Sequence, residues 1–270
     1  MSADSSKELL DAAVELAHEA GAVLREGYGR AHQPERKGRI DLVTDYDRRS
    51  ERLLLDGIAR RFPGHGVLAE ESGAHSAAKG AGVRWIVDPL DGTTNFAHNY
   101  PFFCVSIAVE VEGTLKVGVV YDPVREELFT AVDGGGATLN GTALRVSEVS
   151  RVENALLVTG FPYNVREHPE RSVHLFQAFL VRAQGIRRDG SAALNLCYTS
   201  MGRFDGFWEG FLSPWDMAAG VLIVREAGGI VTNYSGGPFQ LTGGEILASN
   251  SRIHEEMMEI LAAAQHGLPA

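Results

Sequence analysis

VDPLDGTTNF, residues 87–96, sets two carboxylates three positions apart, with a proline between them and a glycine and two threonines behind. Trp85-Ile86-Val87 reads as the end of a buried strand, so Asp88 falls where strand gives way to loop. Pro89 fixes its own φ and biases Asp88 towards an extended conformation, and Asp91-Gly92 reads as a turn that returns the second carboxylate to the first. Two like charges that close call for a counterion, for which a hard divalent cation ligated by oxygen is suited. An ordinary turn followed by a threonine helix cap also accounts for these ten residues, so the reading depends on acids elsewhere in the chain.

With 270 residues and 44% hydrophobic content, the chain has enough apolar surface for one large domain or two tightly packed halves. We expect a single domain over 1–270, with helices and antiparallel sheet in 1–145 and mixed α/β in 146–270. No apolar run approaches the ~18 residues of a membrane span, and MSADSSKELLDAA lacks the basic-then-apolar layout of a signal peptide, so a cytoplasmic location is expected. Cys104 and Cys197 lie in apolar patterns without a C-x-x-C partner and read as buried, reduced thiols. The 35 acidic residues outnumber the 25 basic ones, and the resulting charge of −10 argues against a nonspecific hold on nucleic acid. An anionic substrate remains compatible with an acidic protein when a metal ion lies between them.

Leu9, Ala13, Leu16, Ala17, Ala20 and Leu24 recur at helical spacing, with Gly27 as a stop. A second helix is expected from Thr44 or Asp45 to Arg61, ending before Phe62-Pro63-Gly64. Residues 83–132 are strand-rich and read as antiparallel sheet, and GGGATLNG (134–141) reads as a tight hairpin rather than a phosphate loop. Beyond it, short apolar strands alternate with helices expected at 169–183, 191–203 and about 214–227, and a last helix runs from about Asn250 to Gln265.

Three further groups of acids stand out. Glu70-Glu71 follows the short apolar strand Gly66–Ala69, which puts a carboxylate at a strand terminus as at Asp88, although adjacent glutamates are more often simply solvated. In DLVTDYD, capping and dipole compensation explain at least one of Asp41, Asp45 and Asp47, and Asp47 is the least easily explained that way. In PWDMAAG, Asp216 sits in the first turn of a helix but needs no capping role if Ser213 supplies one, and Trp215 beside it indicates a half-buried acid. Glu209 follows a strand expected over Phe204–Trp208, where an exposed strand end and a ligand contact are about equally good readings.

DLVTDYD (41–47), AEES (69–72), WIVDPLDGTTNF (85–96), GSAALN (190–195), PWDMAAG (214–220) and EAGG (226–229) together resemble the inositol monophosphatases of the lithium-sensitive, magnesium-dependent phosphatase superfamily, in order and spacing, over nearly the full chain. The resemblance implies a layered αβαβα sandwich, α+β to α/β in class, of the inositol monophosphatase/fructose-1,6-bisphosphatase type. It implies that Glu70, Asp88, the carbonyl of Leu90, Asp91 and Asp216 hold two principal Mg²⁺ ions, and that a third, looser ion uses Glu70. It further implies in-line attack on phosphorus by a metal-activated water oriented by Glu70 and Thr93, with Asp216 supporting the leaving alkoxide and no phosphoenzyme. Backbone amides of Gly92, Thr93 and Thr94 would cradle the phosphate, and Ser191 would join the substrate-binding set. Asp91, Ala192 and Glu209 would contact substrate hydroxyls. Asp47, counted among the catalytic residues, would belong with Lys37 to a flap over the metals.

Ala69 stands where the family commonly has glycine, Ser191 where threonine is frequent, and Leu212-Ser213-Pro214 precedes Trp-Asp where other members differ; none of these removes a ligand. Thr94-Asn95-Phe96 resembles the inositol branch, so myo-inositol 1-phosphate is the expected substrate, with a related sugar, histidinol or nucleotide phosphatase as the alternative. The resemblance also implies a homodimer and lithium inhibition. Some bacterial relatives act on transcription complexes, which makes a regulatory binding protein the reading from a different class, although nothing in the residues indicates it.

Overall fold

The computed structural model describes residues 5–30, 35–36, 42–75, 82–167 and 169–266. Its helices are α1 (Ser6–Gly27), α2 (Asp45–Arg61), α3 (Thr93–Ala97), α4 (Pro169–Leu180), α5 (Ala192–Ser200), α6 (Pro214–Glu226) and α7 (His254–His266). The first ten strands are β1 (Glu35–Arg36), β2 (Leu42–Val43), β3 (Gly66–Ala69), β4 (Gly73–His75), β5 (Val83–Asp91), β6 (Cys104–Val111), β7 (Thr114–Asp122), β8 (Glu127–Val132), β9 (Gly136–Leu139) and β10 (Thr142–Ala143). The remaining five are β11 (Leu156–Thr159), β12 (Gly185–Arg187), β13 (Gly206–Gly210), β14 (Ile230–Thr232) and β15 (Glu245–Ser249).

An eight-stranded sheet runs β10-β9-β8-β7-β6-β5-β3-β4, antiparallel except where β3 lies parallel to β5. A five-stranded sheet runs β12-β11-β13-β15-β14, with β11 parallel to both its neighbours. Helices α1 and α2 cover one face of the large sheet, α5 and α6 fill the space between the sheets, and α4 and α7 cover the outer face of the small one. These five layers are the expected αβαβα sandwich, with one hydrophobic cluster in each helical layer.

Local sequence explains the stacking. Leu9, Ala13, Leu16, Ala17, Ala20 and Leu24 form the buried stripe of α1, and Thr44 caps α2 by accepting the Tyr46 N–H at 3.2 Å. Trp85, Phe96, Phe103 and Phe129 are fully buried, each contributing about 1.5–3 kcal/mol relative to exposure. Small residues let α6 approach the large sheet backbone to backbone: a Cβ on Gly118 of β7 would stand 2.8 Å from the Ala219 carbonyl oxygen.

Several boundaries differ from expectation. The strand at 83 does not stop at Asp88 but continues to Asp91, with its pairing to β6 shifted between those residues. Pro89 has no N–H to give to β6 and the Leu90 N–H turns back to Asp88 Oδ1 at 3.0 Å, so the chain bulges without leaving the sheet. The strand read as Phe204–Trp208 is Gly206–Gly210, which puts Glu209 inside it. Helix α4 ends at Leu180 and α5 at Ser200, while α7 starts at His254 because Asn250 Oδ1 accepts the N–H groups of Arg252 and Ile253 and holds the preceding turn. Lys37 and Asp41 lie outside the described residues.

Candidate active site

The parallel register of β3 and β5 pairs Ala69 with Val87, so the next residue on each, Glu70 and Asp88, emerge side by side. The bulge at Pro89 then brings Asp91 back towards Asp88, and the first turn of α6 adds Asp216 from the layer between the sheets. Asp88, Asp91 and Asp216 each offer a carboxylate oxygen, and the three oxygens lie within 4.8 Å of one another. Glu70 stands outside that triplet but interacts directly with Asp88. With Leu90, Gly92, Thr93 and Glu209, these acids line one cavity of about 290 Å³.

Crowding and burial shift the ionisation of these groups. Asp88 is driven well above the usual carboxylate range by burial, then by the charges of Glu70, Asp91 and Asp216. Burial and Asp91 push Asp216 the same way, against the Ser213 N–H, which donates to its Oδ2 at 2.7 Å. Burial raises Asp91 only to about 6, because Ser191 Oγ and the Ala193 N–H both donate to its Oδ2 at 2.7 Å. Burial raises Glu209 to about 8, with Arg188 opposing. Buried oxygen donors that repel one another until a proton or a cation joins them fit a hard divalent ion.

The surrounding residues hold this geometry. Asp47, wholly buried in the first turn of α2, accepts from the Thr44 N–H (2.8 Å) and hydroxyl (2.5 Å) with Oδ2, and from Thr93 Oγ1 at 2.9 Å with Oδ1. Asp47 therefore does serve as a capping residue, although capping explained it least readily in the sequence, and it sits in the first turn of α2. Asp216 likewise completes a cap through Ser213, so the hydroxyl of Ser213 does not relieve it of that role. Ser191 lines the cavity, and its hydroxyl donates to Asp91 and accepts the Leu194 N–H as the cap of α5. Gly92, at φ 98°, turns the chain into α3 where a Cβ would meet the Phe102 carbonyl oxygen at 2.9 Å.

Several contributors were not singled out in the sequence. Ser50 donates to the Pro89 carbonyl at 2.9 Å, and Glu51 accepts the Glu71 N–H at 2.8 Å, so α2 grips both acid-bearing loops. Their signal was present: Asp47, Ser50, Glu51, Leu54 and Ile58 all lie on the buried face of α2, where polar residues need partners. Arg188 lines the cavity opposite Glu209, and Gly160 leaves room for the Glu209 carboxylate, which a Cβ there would strike. Cys104 and Cys197 are buried free thiols, as expected, with Cys104 Sγ 3.9 Å from Asp91 Oδ2.

A five-layer sandwich with buried carboxylates converging over a strand bulge defines a phosphatase class, and comparison with known proteins names it. The chain belongs to the inositol monophosphatase family, whose model matches residues 5–268. It is 47% identical to an inositol-1-monophosphatase of Synechocystis, over 94% of this chain and 88% of that protein. It is 43% identical to the Nus factor SuhB of Salmonella typhimurium, over 93% of this chain and 94% of that one. The solved structure of inositol monophosphatase from Anabaena superposes with a TM-score of 0.86 at 43% identity, over 95% of this chain and 96% of that one. Among the described residues no helix is long and apolar enough to cross a membrane.

Proposed function

We propose that this phosphatase is Mg²⁺-dependent and hydrolyses myo-inositol 1-phosphate by direct in-line attack of water. The observation that carries the reading is the convergence of Asp88, Asp91 and Asp216 from two layers of the fold, with Glu70 against Asp88. These four side chains and the Leu90 carbonyl would hold two principal ions, with a third, looser one at Glu70. Magnesium bound there would lower the pKa of water and neutralise the phosphate.

The remaining work falls to the chain itself. Because the Thr93 hydroxyl donates towards Asp47, its lone pairs are left to accept from the attacking water, and Glu70 would take that water's proton. The N–H groups of Gly92, Thr93 and Thr94 precede the first backbone bond of α3, from Phe96 to Gly92, and would receive phosphate oxygens. Asp216, held by the Ser213 N–H, would support protonation of the leaving alkoxide. Glu209 and the Ala192 backbone would meet substrate hydroxyls, and Lys37 would belong to the flap. A cytoplasmic homodimer is part of the same reading.

Phosphate release from a panel of monoesters with Mg²⁺ tests this: negligible turnover of inositol 1-phosphate beside strong turnover of a sugar, histidinol or nucleotide phosphate reassigns the substrate. The likeness to a Nus factor supports a second reading, a transcription-complex partner. Asp91→Asn separates the two, since it removes hydrolysis and leaves partner binding intact only if that role exists.

A further inference from the structure

Six non-glycine residues have positive φ among those described, and Phe211, at 65°, is the one with a bulky apolar side chain. A left-handed conformation is strained for such a residue and persists where its surroundings impose it. Core packing does not account for it, since Phe211 is 60% exposed. It sits between Glu209 and Asp216, where β13 leads into α6, and lines the mouth of the active-site cavity. The Arg171 guanidinium lies 5.9 Å from its ring centre and 5.8 Å from that of Tyr234, and is ion-paired to Glu245, so the ring rests against a fixed cation.

Three more aromatic residues line the same cavity: Trp215, next to Asp216 in α6; Tyr163, 58% exposed; and Phe161, whose ring centre lies 5.8 Å from the Arg188 guanidinium. The cavity is thus divided into a floor of carboxylates and a rim that carries aromatic rings. A polyol such as inositol can lay its C–H face on such a rim, and a planar aromatic ring adds offset or edge-to-face contacts beyond that burial.

We propose that Phe211 is a specificity-determining residue: with Phe161 and Tyr163 it forms a rim that favours phosphate monoesters whose alcohol carries a planar aromatic ring. The inference rests on the phosphatase reading above. The bond broken is the same P–O bond, and water supplies the oxygen and proton as for any monoester, so the rim acts on recognition alone.

Benzyl phosphate and cyclohexylmethyl phosphate test it, because both release a primary alcohol of similar size and differ in aromaticity. Wild-type protein with Mg²⁺ is expected to favour the benzyl ester by about three- to tenfold in kcat/KM. Phe211→Gly, which suits the left-handed backbone, is expected to bring that ratio to within about twofold of unity, and Phe211→Asn gives the same measurement should the glycine variant not fold. A wild-type ratio near one, or a ratio kept in the variant, overturns the proposal. Saturation-transfer NMR on the benzyl ring protons reads contact without turnover: transfer that is present in the wild type and lost in the variant, with no ester hydrolysed, would retain the rim and remove the phosphatase reading. No transfer in the wild type overturns the rim.

Discussion

Thr93 Oγ1 lies 2.9 Å from Asp47 Oδ1, joining the first turn of α2 to the start of α3 across 46 residues of sequence. Both oxygens of Asp47 are committed, one to the active-site hydroxyl and the other to the cap of its own helix. A single side chain thus couples the stability of α2 to the orientation of the Thr93 hydroxyl, which the proposed mechanism assigns to the attacking water.

Asp47→Ala leaves the Thr44 N–H and the Thr93 hydroxyl without this acceptor in a buried setting. We expect a loss of about 2–4 kcal/mol in urea unfolding together with a fall in kcat of about 10²-fold or more. A variant with wild-type stability and turnover would remove Asp47 from both roles.

The metal-free protein should lose stability as pH rises. The folded pKa of Asp91, about 6, and that of Glu209, about 8, both lie above unfolded values near 4, so the native state binds more protons. Their contribution is full below about pH 4 and is lost through about pH 6 for Asp91 and about pH 8 for Glu209. Melting temperatures in chelator should fall across this window, and millimolar Mg²⁺ should raise them most at its upper end. A metal effect that is flat with pH would contradict the proposed ligand set.

Asp91→Asn keeps the shape of the bulge but weakens the cation site. Turnover should drop by about 10²–10³-fold or more, and the Mg²⁺-induced rise in melting temperature should shrink. Retention of both would sever the link between this residue and the metal.

Gly92→Ala forces a Cβ towards the Phe102 carbonyl at a φ of 98°. A destabilisation of about 1–3 kcal/mol in chemical denaturation is expected, with phosphate release reduced because α3 must shift. An unchanged denaturation midpoint would mean that the turn has room to adjust.

Lithium should inhibit phosphate release in a titration against Mg²⁺, and light scattering should give twice the single-chain mass. Indifference to lithium, or a monomeric mass, would each remove one inherited expectation.

The layered architecture was legible because its signals are local: the stripe of α1, the Thr44 cap and the continuous apolar runs of the central strands of the large sheet each declare themselves within a short window. The acids at Asp88 and Asp91 were legible for the same reason, since a proline and a glycine bracket them. What escaped was long-range. The buried face of α2 shows that Ser50 and Glu51 need partners but not that these are Pro89 and Glu71, and nothing near Phe211 shows that it lines the cavity. The capping roles of Asp47 and Asp216 are hard to read because a capping carboxylate and one that joins a buried cluster look alike in sequence; here Asp216 does both, and Asp47 caps α2 while accepting from Thr93.

Asp216 comes from a helix clasped between the two sheets, whereas Asp88 and Asp91 belong to a strand of the first. During synthesis the strand is complete long before that helix exists, so the nascent chain carries two of the three clustered carboxylates without the third. The cluster is complete only once α6 has docked between the sheets, and under the proposed metal reading a fully chelated ion would report that docking.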